Sequence, residues 1–131
     1  MIGQAIYTLL STNVGIKAIV DTRIYPMLAE QFADMPYIVY RTISKVPNNT
    51  KGGGRGFDRY RVQIDCVGTS FTSLEDLADK VRTAIDDRVG TYGAVTILGS
   101  RFEDTTDLVL DFQPDSERVY QKSMDFIILA R

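Results

Sequence analysis

Apolar residues recur at three- and four-residue spacing from the start of the chain. Ile2, Ala5, Ile6, Leu9 and Leu10 fall on one face of a predicted helix. Ser11, Thr12 and Asn13 break it, and Thr12 or Asn13 is placed to cap a second short helix carrying Val14, Ala18 and Ile19. Gly15 weakens that second helix. Arg23 to Tyr25 read as a short extended stretch ended by Pro26. Pro36 then opens Tyr37-Ile38-Val39-Tyr40-Arg41-Thr42-Ile43, whose aromatic and β-branched residues predict a strand with its proline at the first position. Pro47 to Gly56 holds five glycines or prolines in ten residues and no large apolar residue, so it is expected to be a mobile loop. Strict alternation resumes beyond it. Tyr60, Val62, Ile64 and Cys66 point one way and Arg59, Arg61, Gln63 and Asp65 the other, which with the preceding strand predicts a long antiparallel hairpin.

The clearest helical stripe follows, in Leu74, Leu77, Ala78, Val81, Ala84 and Ile85. Thr72-Ser73-Leu74-Glu75 fits a capping box at its start, and Gly90 is expected to end it. Ala94–Phe102, Leu108–Phe112 and Val119–Ala130 read as closing strands. In the last, Tyr120, Met124, Phe126, Ile128 and Ala130 share one face, with Ile127 and Leu129 opposite. The order of elements predicts an α+β fold: a mainly antiparallel sheet with a long hairpin, and two to three helices packed on one face.

With 131 residues, 44% apolar and 24% charged, the chain is expected to form one domain over 1–131, with the hairpin tip at about 46–57. A single cysteine excludes an internal disulfide framework, and the lack of histidine removes the commonest general base and metal ligand. Cys66 alternates in phase with Val62 and Ile64 and reads as a small buried apolar residue without an activating base. The glycines at 52–54 and 56 do not form a phosphate-binding loop, because an alternating strand and no helix follows them. No cofactor, metal or catalytic residue is expected. No basic leader or apolar run of about 20 residues is seen, so a membrane partner is not expected and the chain reads as cytosolic at synthesis.

The near-neutral total of −2 conceals two biased regions. From Arg41 to Arg61 six basic residues face one acid, Asp58, a balance of +5. From Glu103 to Glu117 there are six acids and no base until Arg118, a balance of −6, read as a solvated acidic loop or a protein-contact face. Lys45, Asn48, Asn49, Lys51, Arg55, Arg59 and Arg61 are therefore candidates for an assembly or channel-lining loop. Glu103, Asp104, Asp107, Asp111 and Asp115 are candidates for an acidic contact surface. Patches of opposite sign suit head-to-tail association of copies, or self-neutralisation within one monomer.

An amphipathic N-terminal helix, Asp21-Thr22-Arg23-Ile24-Tyr25-Pro26, then Met35-Pro36-Tyr37-Ile38-Val39-Tyr40, a loose loop, the Tyr60–Val67 strand and a helix with Leu74-Glu75-Asp76-Leu77 follow in order. This order resembles the tail-completion, or tail-terminator, family of long-tailed bacteriophages and prophages. The resemblance implies a non-enzymatic virion protein of the tail or neck, assembled in the host cytoplasm. It implies a ring, typically of six copies, that caps the tail tube, stops its growth and joins it to head–tail connector proteins. It also implies that Arg23–Pro26 and Pro36–Tyr40 are fold-defining core positions and not a site. A hairpin lining the channel would touch passing DNA without reading its bases. Two alternatives are another neck component, such as a head-closure or adaptor protein, and a nucleic-acid-binding module built on Arg59, Arg61 and the Tyr37/Tyr40 strand.

Overall fold

In the computed structural model, which describes residues 2–29, 34–48, 56–109 and 118–131, three helices lie on one face of a six-stranded sheet. The elements are α1 (Ile2–Ser11), α2 (Val14–Val20), β1 (Ile24–Pro26), β2 (Tyr37–Asn48), β3 (Phe57–Gly68), α3 (Phe71–Ile85), β4 (Gly90–Tyr92), β5 (Val95–Val109) and β6 (Tyr120–Ala130). The strand order is β1-β2-β3-β6-β5-β4, and all neighbours are antiparallel except β1 with β2. The fold is α+β, as the element order predicts.

The core lies between the helices and the central strands. From the sheet come Val62, Ile64, Cys66, Met124, Phe126 and Ile128; from the helices come Ile6, Leu10, Ile16, Leu77 and Val81, all buried. The stripe predicted for α3 is the set of residues that it buries. In α2, by contrast, Val14 and Ala18 are exposed, and Ile16 and Val20 reach the core. Asn13 provides the cap by accepting the Ile16 amide at 3.0 Å, which turns Ile16 inward. Gly15 fits under α3: a Cβ there would lie 3.1 Å from Cδ and Cε of Lys80.

Both ends of α3 differ from expectation. The cap is Ser70, whose hydroxyl accepts the Ser73 amide at 3.4 Å, so Thr72 lies inside the helix and the Thr72–Glu75 capping box does not form. Phe71 is drawn into the first turn, where its ring meets Tyr120 edge-on at 5.7 Å. The helix ends at Ile85 with Asp86 as C-cap, and Asp87 takes the left-handed turn at φ 55°. Arg88 Nε donates to the Ala84 carbonyl at 2.8 Å, closing the last turn with a cation at the negative end of the helix. Gly90 instead opens β4 at φ 150°, a conformation that favours glycine.

Two strand assignments also change. β2 continues past Ile43 to Asn48, so Pro47 and Asn48 belong to the hairpin ladder and pair with Asp58 and Phe57. Proline is tolerated there because β1 flanks β2 only at Ile38–Tyr40, and among the described residues the far end of β2 is an open edge. β5 is one strand from Val95 to Val109, with bulges between Ile97 and Gly99 and between Phe102 and Asp104. Leu108 and Val109 therefore extend β5 and start no separate strand, while positions 110–112 lie outside the described residues. The strand ending at Pro26 is stitched in by Arg23. Its Nε donates to the Pro36 carbonyl at 3.0 Å and a second guanidinium nitrogen donates to the Ile19 carbonyl at 3.2 Å. One forked cation thus fixes the end of α2 against the entry to β2.

Candidate functional site

The two charge-biased regions predicted from sequence fall on opposite sides of the sheet. The basic hairpin is β2 and β3; the described acids belong to β5; β6 lies between them. Glu103, Asp104 and Asp107 are strand residues, a correction to the acidic-loop expectation. Asp111, Asp115 and Glu117, together with Asn49, Lys51 and Arg55 of the expected hairpin tip, lie outside the described residues, and of Asn48 only the backbone pairing is described.

Strand alternation decides which face each charge occupies. Arg41, Arg59 and Arg61 share the helix-free face of the sheet, because the residues between them, Thr42, Tyr60 and Val62, turn toward the helices. Arg61 reaches across to Asp125 at 3.2 Å, which takes part of the hairpin's positive charge. Lys45 follows the bulge between Thr42 and Ser44 and so turns to the other face. It sits 5.8 Å from the Tyr60 ring centre and 3.5 Å from Asp58. On the acidic side Asp107 binds Lys122 at 2.9 Å, and Glu103 accepts Arg101 Nε at 2.8 Å. Arg41, Arg59 and Asp104 have no ion-pair partner among the described residues. Such exposed pairs contribute little to stability, so the charges remain available to a partner.

The basic aromatic sheet envisaged for nucleic acid does not assemble as expected. Tyr37 lies on the helix-free face with Arg59 and Arg61, where its ring meets Tyr25 edge-on at 6.0 Å. Tyr40 pairs with Ile64 on the opposite face and packs against the core. Both hydroxyls are shifted upward in pKa, chiefly by burial and then by Tyr25 for Tyr37 and Tyr7 for Tyr40. An open cleft between α1 and the β4–β5 turn is lined by Tyr7, Tyr40 and Tyr92 with Gln4 and Thr8, and brings together no charged group. Among the described residues no group of three or more potential metal ligands converges.

Sequence reasoning missed Asp65. It lies 7% exposed on the helix-free face, where alternation predicts a solvated residue, and Gln63 Nε2 donates to it at 2.8 Å. The hydrogen bond makes this burial tolerable. Its in-phase neighbours on that face, Gln63 and Val67, are half-buried and buried, which the alternation of the strand alone does not show.

Cys66 is fully buried, and burial pushes its thiol well above the usual range, with Asp65 adding to the shift and Lys122 opposing it. Since the folded state raises this pKa, it holds the proton longer than the unfolded chain does. The corresponding stability is complete below the ordinary thiol value of 9.0 and is lost as pH rises above it. Unfolding free energy is expected to fall above about pH 9 by up to about 1.4 kcal/mol per pH unit from this one group. Denaturant titrations at several alkaline pH values check this: Cys66→Ala should flatten the slope, and an unchanged slope would contradict it. A thiol reagent should label the native protein only through unfolding.

The family model described as "Tail completion protein gp17" matches residues 4–130. Among solved structures, a chain from the virion of a native gene transfer agent particle is similar with a TM-score of 0.74 and 13% identity, covering 97% of this chain and 92% of that one. A second solved chain is similar with a TM-score of 0.51 and 13% identity, covering 95% of this chain and 94% of that one. At such identity these two likenesses bear on the fold alone. No curated protein matches the sequence significantly.

Proposed function

Because the chain belongs to the tail completion protein gp17 family and is thus a structural protein of phage-type tails, we propose that it forms a ring, of six copies by family resemblance, at the end of the tail tube. There it ends tube growth and presents the surface that joins the tail to the head connector. Its partners in this reading are its own copies, the tail-tube protein and connector proteins, and it carries out no chemical transformation. Assembly takes place in the host cytoplasm, and the finished ring remains in the virion.

One observation carries the reading beyond family membership. The basic hairpin and the acid-rich β5 occupy opposite flanks of one sheet, so a single copy offers two different, complementary surfaces. That is the requirement for head-to-tail closure. Arg59 and Arg61 on the helix-free face and Lys45 on the other belong to the hairpin flank, and Glu103, Asp104 and Asp107 to the β5 flank. The further candidates Asn49, Lys51, Arg55, Asp111 and Asp115 lie outside the described residues.

The test is growth of tail tubes in vitro. Tail-tube protein polymerised with this chain present should give shorter tubes, each with extra density at one end under negative stain. Tubes of unchanged length with bare ends would refute the capping role.

A further inference from the structure

Two strand edges of the sheet are open, and they differ in sign. β1 flanks β2 only at Ile38–Tyr40, so on the side away from β3 positions 41–48 have no strand beside them among the described residues. β4 flanks β5 only at Val95–Ile97, and Asp86 caps the Phe102 amide at 2.9 Å, so on the side away from β6 positions 103–109 also have no strand beside them among the described residues. An open edge presents unpaired backbone donors and acceptors and is a template for another strand.

The β2 edge carries Arg41 and Lys45 with no acid over positions 41–48; the β5 edge carries Glu103, Asp104 and Asp107 with no base over positions 103–109. Both also expose large apolar side chains: Ile43 at 47% and Val46 at 52% on one, Leu108 at 45% and Val109 at 38% on the other. Edges guarded only against aggregation would need charge of either sign. Edges of opposite sign reject their own kind and accept each other.

We propose that the ring interface is an intermolecular β-sheet in which the 41–48 edge of one copy pairs with the 103–109 edge of the next. This deepens the ring reading and rests on it. The direction of pairing follows from topology. β2 and β5 run opposite ways, because three antiparallel steps separate them. Rotation about a ring axis to which the strands are tilted keeps their sense the same in every copy, so β2 meets the neighbouring β5 antiparallel. The two open stretches lie at opposite ends of the strands: Leu108 is in the rung of Tyr37, at the closed end of β2, and Gly99 is in the rung of Val46. Successive copies are therefore staggered along the strand axis, and a closed ring takes up that stagger by tilting its strands. Pairing of β2 with β2, or β5 with β5, would bring like charges together.

Charge reversal with rescue tests the interface. R41E/K45E and E103K/D104K should each lose the ring in solution or on tube ends while keeping the native circular dichroism spectrum. The chain carrying all four substitutions should regain it, since its edges are again opposite in sign. Independently, amide exchange within 42–46 and 105–109 should slow at least ten-fold when the wild-type chain assembles. A wild-type chain that gives no ring under either condition removes the ring reading and this interface with it. A ring that survives both reversals, or whose edge amides exchange as fast as in the monomer, removes the interface alone.

Discussion

Replacing Phe126 with alanine should lower the unfolding free energy by about 3–5 kcal/mol, the largest single-residue effect expected in this chain. Phe126 is fully buried at the centre of β6, opposite Val62 on one side and Phe102 on the other. Its ring meets that of Phe102 edge-on at 5.6 Å, and the Arg82 guanidinium lies 4.2 Å from the Phe102 ring centre. Truncation therefore removes apolar burial, an aromatic contact and the support of a cation stacked on the neighbouring ring. Domains of this size have stabilities of about 5–15 kcal/mol, so the variant is left with a small remainder. Phe126→Leu, which keeps most of the volume, should cost under about 1.5 kcal/mol. Leu108→Ala, on an exposed edge, should stay within about 0.5 kcal/mol. Urea titrations with unchanged slope would measure all three; a Phe126→Ala loss no greater than that of Leu108→Ala would contradict this core. The proposed ring is tied to the same strand. β6 joins the hairpin to β5, so its loosening would uncouple the two charged flanks on which that proposal rests.

Local periodicity made much of this legible. The stripe from Leu74 to Ile85, the alternation of Tyr60–Cys66 and the face shared by Met124, Phe126, Ile128 and Ala130 are set by residues three or four apart, or two apart. Each needs only a cover on one side. What sequence missed depends on contacts distant along the chain. Phe71 joins α3 because Tyr120, 49 positions away, offers it a ring, and that moves the cap from Thr72 to Ser70. Pro47 stays in β2 because β1 stops at the level of Tyr40. β5 runs through its acids to Val109 because β6 pairs with it throughout, with Lys122 meeting Asp107. A charge count finds both biased regions, but not that they occupy opposite flanks. That depends on the strand order, in which β6 inserts between β3 and β5.

The second large effect is one of mass. Two unlike surfaces on one chain, if mated, give either a closed ring or an open filament, and closure depends on the rotation between neighbours. The ring therefore predicts a single discrete oligomer and no ladder of sizes. Salt should weaken it, because Arg41, Lys45, Glu103, Asp104 and Asp107, the charges it would match, are exposed.

Mass in solution, at moderate salt and with or without tail-tube protein, is the most direct measurement. The account predicts a discrete species of six times the 14.7 kDa chain, formed by the free protein or on contact with the tube. A 14.7 kDa monomer under both conditions would contradict it.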